Sequence, residues 1–233
     1  MLLSLDDNYH YKMRYSGNLQ CHFVRHDELA YHQYREYLKT IKGYKILYLN
    51  EIIERNNDIY SIFDEICISL QASQDAAFKV LELYIDVIES FFPRKPVMVQ
   101  YTGKDFPWFI ANVKNILGSR FNSIAVPVTA TDRETVIKRL VKAGIPVHLL
   151  EFAYPIEALE LAKKYGFGID SCSTKIPLKY GTHGVIFHPR YGPLSGHEIN
   201  DSANNDFPGI TQWNVRCMDS WCAGKIPEPP SFL

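Results

Sequence analysis

Between residues 95 and 173 the sequence alternates short β-branched segments with amphipathic segments of helical period. The strand-like segments begin near residues 97, 124, 147 and 168, so a strand and a helix recur about every 21 to 27 residues. Such a repeat requires a parallel sheet, because consecutive parallel strands must be joined by a crossover. An open doubly wound sheet and a closed (β/α)₈ barrel both satisfy this requirement.

The absence of a glycine-rich phosphate loop favours the barrel. No GxGxxG or GxxxxGK[ST] motif occurs in the chain, whereas a doubly wound nucleotide-binding sheet normally has one after its first strand. We therefore predict a (β/α)₈ TIM-like barrel over residues 1–180, with an incomplete or a permuted barrel as variants of the same prediction. Residues 181–233 contain a strand-like segment at 184–188 and are otherwise rich in Gly, Pro, Asn and Ser. We expect them to form a loop-rich tail packed on the barrel.

Composition and charge exclude several classes of protein. The 233 residues carry 25 Lys and Arg against 26 Asp and Glu, so no basic footprint for nucleic acid is present and no nucleic-acid partner is expected. No apolar segment approaches the roughly 20 residues of a membrane span. The first residues lack the basic region of a secretion signal, and the odd number of dispersed cysteines indicates buried thiols in a reducing compartment. These features predict a cytoplasmic protein.

Six segments, taken in order, resemble the glycerophosphodiester phosphodiesterase superfamily of TIM barrels, whose members are phospholipase C-like phosphodiesterases. In that family the equivalent pieces include an acidic ExD strand, a strand ending in His-Asp, an acidic EIK strand and a final unit that ends aGvdgiiTD. The resemblance covers roughly residues 3–175. The segments in this chain are LSLDD (3–7), NLQCHFVRHD (18–27), YLNEII (48–53), CISLQ (67–71), KPVMVQYT (95–102) and AGIPVHLLEF followed by GFGIDSCST (143–174).

This resemblance implies hydrolysis of a small glycerol-phosphodiester substrate. In such a reaction a divalent metal, Mg²⁺ or Ca²⁺, neutralises the phosphate oxygens, and a histidine protonates the leaving alkoxide. Carried over by position, Asp6 would be a metal carboxylate and His26 the general acid or base. Asp27 would be a second metal carboxylate or would orient the imidazole of His26.

The chain also departs from the family pattern at metal-ligand positions. Ser4 stands where the ExD glutamate is expected, and Ser69 and Gln71 stand where the glutamate and lysine of EIK are expected. These substitutions remove hard oxygen ligands and put Mg²⁺ or Ca²⁺ binding in doubt.

The family's opening strand, which bears a catalytic His-Arg pair, has no counterpart before Leu2. The eighth strand of a closed barrel lies beside the first, so the segment 184–188 could fill this position from the C-terminal side. We hypothesise this permutation, which would bring His188 and Arg190 beside His26 as the missing catalytic pair.

Other polar residues are candidates for substrate or metal binding. We expect Asp170, Gln100 and Gln71 to contact the substrate, with Asp170 at the C-terminal end of a strand, where active sites of barrels lie. His183, His188 and His197 lie in one glycine-rich part of the chain and form an alternative group of metal ligands.

Two further interpretations share the barrel but differ in function. One is a non-catalytic ligand-binding barrel that has lost its metal site. The other is a barrel similar to tRNA-guanine transglycosylases, because the segment GIDSCST resembles the strand that carries their nucleophilic aspartate. Ser173 occupies the position of that aspartate here, and the zinc ligands of that family are not found.

Overall fold

A computed structural model of the chain describes residues 1–50, 58–70, 74–103, 105–194 and 207–230. Eight parallel strands form one sheet, and helices follow most of them along the chain. The strands are β1 Leu2–Leu5, β2 Cys21–Arg25, β3 Tyr44–Leu49, β4 Glu65–Ile68, β5 Val97–Gln100, β6 Phe121–Pro127, β7 Val147–Leu150 and β8 Ser171–Thr174. The helices are α1 Tyr9–Tyr15, α2 His32–Thr40, α3 Gln74–Phe91, α4 Phe106–Leu117, α5 Arg133–Lys142, α6 Glu157–Tyr165, α7 Ile176–Thr182 and α8 Pro208–Cys222.

The strand order around the sheet is β1, β8, β7, β6, β5, β4, β3, β2. Every neighbouring pair in this order is parallel and hydrogen-bonded. The two end strands, β1 and β2, also contact each other. The sheet is therefore a nearly closed (β/α)₈ barrel, which confirms the fold predicted from the repeat.

The seam between β1 and β2 is closed by side chains, because no backbone ladder joins these two strands. The hydroxyl oxygen of Ser4 accepts a hydrogen bond from the Phe23 N–H at 2.5 Å. The ammonium group of Lys12, in α1, donates to the Phe23 carbonyl at 3.0 Å. Buried backbone groups require hydrogen-bond partners. The side chains of Ser4 and Lys12 provide the hydrogen bonds to Phe23 that a backbone ladder would otherwise provide.

The alternation of side chains along the strands separates two apolar layers. One face points into the barrel, where a small cluster fills the interior, and the other face packs against the helices in a larger core. The interior cluster consists of Cys21, Phe23, Ile46, Cys67, Met98 and Ala125. Side chains on both faces of the strands are buried, as expected for a parallel sheet covered by helices.

Helix α4 illustrates how the local sequence sets an element. The Asp105 carboxylate accepts from the Trp108 N–H at 3.1 Å and caps the first turn. Phe109 and Val113 point into the core. The helix ends at Gly118, whose φ of 54° is accessible to glycine at little energetic cost.

The permutation hypothesis is wrong. The hypothesis placed the segment 184–188 beside the first strand of the barrel. In the structure β1 itself pairs in parallel with β8 from Leu2 to Leu5, so the barrel has no vacant position there. In the described part of the C-terminal segment, the strands β9 Phe187–His188 and β10 Gly192–Pro193 form a short antiparallel hairpin in a sheet of its own. His188 and Arg190 therefore do not complete the barrel beside His26.

The segment after β10 contains a helix that the sequence pattern did not predict. Helix α8 packs on α7, α6 and β1, so it takes a place in the outer ring of helices.

No helix in the described part of the chain is long and apolar enough to cross a membrane. All five cysteines are buried free thiols, as predicted for the thiols themselves, whereas the predicted reducing compartment stays a prediction.

Candidate functional site

The C-terminal ends of the strands carry a set of polar side chains. Alternation along each strand directs these side chains toward the barrel axis, on the same face as the interior cluster. Catalytic residues of (β/α)₈ barrels come from the same end of the strands. We refer to the following five residues as the rim: Asp6, Arg25, Tyr48, Ser69 and Gln100.

A charged network lies on the β1 and β2 side of the rim. Arg25 Nε lies 3.0 Å from Asp6 Oδ1. Below this pair, Lys12 Nζ lies 2.8 Å from Glu28 Oε2 and 3.9 Å from Asp6 Oδ1. The Arg25 N–H also donates to Glu28 Oε2 at 2.8 Å. The two carboxylates thus share Lys12 and Arg25, and the network fixes Asp6 at the mouth of the barrel.

Burial differs strongly along this network. The side chain of Lys12 is 2% exposed, whereas those of Asp6 and Arg25 are 24% and 47% exposed. Burial raises the pKa of Glu28, and the charge of Lys12 opposes that shift. The lower part of the network is therefore inaccessible, whereas Asp6 and Arg25 can meet a ligand.

A neutral hydrogen-bonded group lies beside this network, on β3, β4 and β5, with Tyr48 directly across from Arg25 in the sheet. The Tyr48 hydroxyl and the Ser69 hydroxyl each donate to Gln100 Oε1 at 3.0 Å. The Tyr48 ring packs on Phe23 of the interior cluster, with ring centroids 5.1 Å apart. Because its carbonyl oxygen receives two hydroxyl groups, the Gln100 amide has a fixed orientation at the rim.

Glu151, directly after β7, has an unusual backbone. Its φ is 70°, a left-handed conformation that is unfavourable for a residue with a side chain and is often found at functional sites. Its carboxylate accepts from the backbone N–H groups of Phe152 and Lys175, both at 3.1 Å, and from the Thr174 hydroxyl. Arg133 donates to the Glu151 carbonyl at 2.6 Å. Burial raises the pKa of the Glu151 carboxyl group.

The predicted general acid or base, His26, follows β2 directly. Its Nε2 lies 2.8 Å from the Tyr60 hydroxyl, and the side chain is half-buried. His188 instead stacks on Tyr191 in the C-terminal hairpin, with ring centroids 4.7 Å apart. Its Nδ1 accepts from the Arg190 N–H at 3.2 Å. A catalytic role for His26 stays a prediction.

The predicted Mg²⁺ or Ca²⁺ site at Asp6 and Asp27 does not fit the residues present. Asp6 is engaged by Arg25, and Asp27 is exposed in the short 3₁₀ segment after β2. Within the described ranges, no three His, Cys, Asp or Glu side chains come together as metal ligands. Ser4, which stands where the family has a metal ligand, instead accepts the hydrogen bond from Phe23 that joins β1 and β2.

The structure places the residues that were predicted to bind substrate or metal in different parts of the molecule. Gln100 belongs to the rim, and its contact with substrate stays a prediction. Asp170 precedes β8, at the N-terminal end of the barrel, so its predicted position at the C-terminal end is wrong. Gln71 and His197 lie outside the described residues. His183, also named as a metal ligand, has its Nδ1 2.7 Å from the Lys179 carbonyl.

Sequence reasoning did not identify Arg25, Tyr48 or Lys12 as parts of the site. Cys21, Phe23 and Arg25 alternate along β2, so this pattern could have predicted that Arg25 points into the barrel. No comparable signal existed for Lys12, since it reaches the barrel only through the packing of α1.

Comparison with known proteins supports the fold. No protein-family model and no curated protein sequence matches the chain. A solved structure of 3-hexulose-6-phosphate synthase superposes with a TM-score of 0.54 at 7% identity, covering 95% of this chain and 99% of the other. KGPDC from Streptococcus mutans superposes with a TM-score of 0.55 at 10% identity, covering 93% and 95%. The likeness establishes the fold alone.

A third similar structure is CdNal from Clostridium difficile in complex with mannosamine. It superposes with a TM-score of 0.50 at 9% identity and covers 75% of this chain and 69% of the other. None of these three proteins is a phosphodiesterase. The interpretation as a glycerol-phosphodiester hydrolase is therefore wrong, and the two alternatives, a binding barrel derived from it and a barrel similar to tRNA-guanine transglycosylases, find no match either.

Proposed function

We propose that the protein is an enzyme that removes a proton from the carbon beside a carbonyl group in a small, unphosphorylated, hydroxylated compound such as a free sugar. The observation that carries this proposal is the accessible pair of Asp6 and Arg25 at the C-terminal end of β1 and β2. Catalytic groups of (β/α)₈ barrels lie at this end of the strands.

Asp6 is the base in this proposal. Its carboxylate takes the proton, and the electron pair of the broken C–H bond moves onto the carbonyl oxygen to form an enolate. The guanidinium group of Arg25 lies beside Asp6 and stabilises the negative charge that develops on that oxygen. Lys12 keeps Asp6 in place from below, because its Nζ lies within 3.9 Å of Asp6 Oδ1.

The hydroxyl groups of the substrate would be bound by Tyr48, Ser69 and Gln100. Because both hydroxyl hydrogens are donated to Gln100 Oε1, the hydroxyl oxygens offer acceptors and the Gln100 amide nitrogen offers donors. Recognition of a polyhydroxylated molecule requires both kinds of group. The names of two structural neighbours are in line with such a ligand, since one is a hexulose-phosphate synthase and the other was solved with mannosamine.

Glu151 is the reason for proposing an unphosphorylated substrate. Barrels that bind phosphate often do so in the loops after strands seven and eight. In this chain two backbone N–H groups of those loops, of Phe152 and Lys175, and the hydroxyl of Thr174 donate to the carboxylate of Glu151. A phosphate placed there would lose these donors and would meet a carboxylate.

The test is hydrogen exchange at carbon, followed by proton NMR in D₂O. Dihydroxyacetone, glyceraldehyde and fructose are the probes, and dihydroxyacetone phosphate is the phosphorylated comparison. We expect the wild-type protein to accelerate loss of the proton signal beside the carbonyl of at least one free sugar, and Asp6→Asn to reduce that rate by about 100-fold or more.

Glu36→Gln is the matched control, because Glu36 is an exposed carboxylate on α2 that also pairs with a basic side chain, Lys39, at 2.8 Å. It should leave the exchange rate unchanged. Exchange that persists in Asp6→Asn, or no exchange with any of the free sugars, would contradict the proposal.

A further inference from the structure

A cavity opens at the N-terminal end of the barrel, opposite the rim. Its volume is about 220 Å³, and an engineered protein cavity of about 150 Å³ is large enough to bind benzene. The inner wall includes the buried side chains of Glu65, Met98, Val147 and His148, whereas Tyr44 and Asp170 lie at its exposed mouth. The cavity therefore has room for an organic molecule and is open to solvent.

Glu65 provides the main polar group of the inner wall and is 3% exposed. Its Oε1 accepts from the Ser123 hydroxyl at 2.7 Å and from the Asn122 amide at 2.8 Å, and its Oε2 accepts from the Tyr44 hydroxyl at 3.2 Å. These partners are neutral. Burial raises the pKa of Glu65 in spite of them, so the carboxylate lacks a compensating positive charge.

The other lining residues do not supply that charge. Burial lowers the pKa of His148 to about 3, so its imidazole is neutral at physiological pH, and its Nδ1 lies 2.7 Å from the Ser171 hydroxyl. Among the described residues that line the cavity there is no lysine or arginine, and Asp170 adds a second carboxyl group at the mouth. Burial raises the pKa of Asp170, and the N-terminal ammonium group partly opposes that rise. The cavity thus combines acidic groups with apolar walls.

We propose that this cavity is a binding site for a small primary ammonium ion that carries an apolar group. The ammonium group lies against Glu65, and the apolar group lies between Met98 and Val147. Anionic ligands are disfavoured by the two carboxyl groups. A neutral ligand leaves the charge of the Glu65 carboxylate uncompensated, which is costly for a buried group.

Benzylammonium is the probe, with benzyl alcohol and benzoate as neutral and anionic ligands of the same size. Binding is measured by titration of the ¹⁵N-labelled full-length protein in NMR spectra. Because a charged hydrogen bond contributes about 1.5 kcal/mol or more, we expect benzylammonium to bind at least about tenfold more tightly than benzyl alcohol. Benzoate should not bind. The amide signals of Tyr44, Asn122 and Ser171 should shift.

Two variants locate the charge that the ammonium group recognises. Glu65→Gln should remove the tenfold preference for benzylammonium over benzyl alcohol, and Asp6→Asn, at the opposite end of the barrel, should keep it. If Glu65→Gln does not fold, Asn122→Trp, which places a large ring at the exposed mouth, should block both ligands.

Three results would overturn the proposal. They are equal affinity for the ammonium ion and the alcohol, shifts confined to the rim, and loss of binding in Asp6→Asn rather than in Glu65→Gln. Binding without preference would mean that the cavity is an unspecific apolar pocket. None of these results bears on hydrogen exchange at the rim, so this site and the proposed function can fail independently.

Discussion

His148 lies inside the barrel. We expect its burial to determine part of the dependence of the protein's stability on pH. Its side chain is fully buried, stacks on Phe23 at 5.2 Å between ring centroids and contacts the hydroxyls of Ser171 and Ser173. Burial lowers its pKa to about 3, against the opposing charge of Asp6. The imidazole is therefore neutral whenever the protein is folded near neutral pH.

This burial predicts a loss of stability in mild acid. In the unfolded chain the histidine has a pKa of about 6.5, so between pH 6.5 and 3 the unfolded state binds a proton that the folded state does not. The contribution of His148 is full above pH 6.5 and is lost as the pH falls. Between pH 7 and pH 5 the loss should be about 2 kcal/mol, and His148→Asn should remove it.

Urea unfolding of wild-type and variant protein at both pH values measures this difference. Burial raises the pKa of Glu65 and of Glu151, so those groups act in the opposite direction, but they are present in both proteins and cancel in the comparison. His32→Asn is the control, because its imidazole is 75% exposed. An equal pH dependence in wild type and His148→Asn would show that His148 has no part in it.

At the residue scale the sequence pointed to some members of the candidate site and missed others, and the roles predicted for them stay predictions. Asp6 and Gln100 were found because each lies at the C-terminal end of a strand, which the repeat and the resemblance locate. Asp170 was placed at the wrong end because the strand begins at Ser171, three residues later than predicted. Lys12 could not be found, because its position depends on tertiary packing.

At the scale of elements, the seam between β1 and β2 depends on α1. Lys12 reaches from that helix to the Phe23 carbonyl and to Glu28. It satisfies one backbone group of β2 and neutralises one buried carboxylate. Removing it leaves both groups buried without their partner, which is among the more destabilising changes a single substitution can make.

We therefore expect Lys12→Met to destabilise the protein by about 3 to 5 kcal/mol in urea unfolding. The matched control is Lys39→Met, since Lys39 pairs with Glu36 at the same distance of 2.8 Å but on the surface of α2. It should leave the unfolding midpoint nearly unchanged. The double variant Lys12→Met with Glu28→Gln should recover part of the loss, because the unpaired charge is then removed. Equal effects of the two single lysine substitutions would contradict this account.

The elements themselves were predictable to different degrees. The βα units between residues 97 and 174 were recognised because their buried faces carry β-branched and aliphatic residues at regular spacing. Helix α8 was missed because part of its buried face is polar. Asn214 is fully buried, accepts from the Phe187 N–H at 2.9 Å and donates to the Val185 carbonyl at 2.8 Å. A hydrophobic pattern cannot reveal a face that is buried through hydrogen bonds.

At the scale of the whole molecule, α8 joins the C-terminal segment to the barrel. Trp221 is fully buried, donates from Nε1 to the Pro189 carbonyl at 2.8 Å and stacks on Phe187 with ring centroids 5.5 Å apart. Cys222 lies next to it, with its Sγ 3.6 Å from the Sγ of Cys172 in β8. Although residues 181–233 were predicted to be a tail on a barrel of residues 1–180, these contacts indicate one cooperative unit, and the boundary at residue 180 stays a prediction.

The last prediction tests that cooperativity. Trp221→Ala should lower the free energy of unfolding of the whole protein by about 3 to 5 kcal/mol, because it removes a large buried ring and leaves a cavity against the barrel. Trp108→Ala should have a smaller effect, since Trp108 is 40% exposed. Circular dichroism of the helices and proton exchange of the strand amides should give the same unfolding midpoint in Trp221→Ala. A variant that loses only the amide protection of residues 207–222, while the strands keep their wild-type stability, would instead mean that the barrel folds without α8.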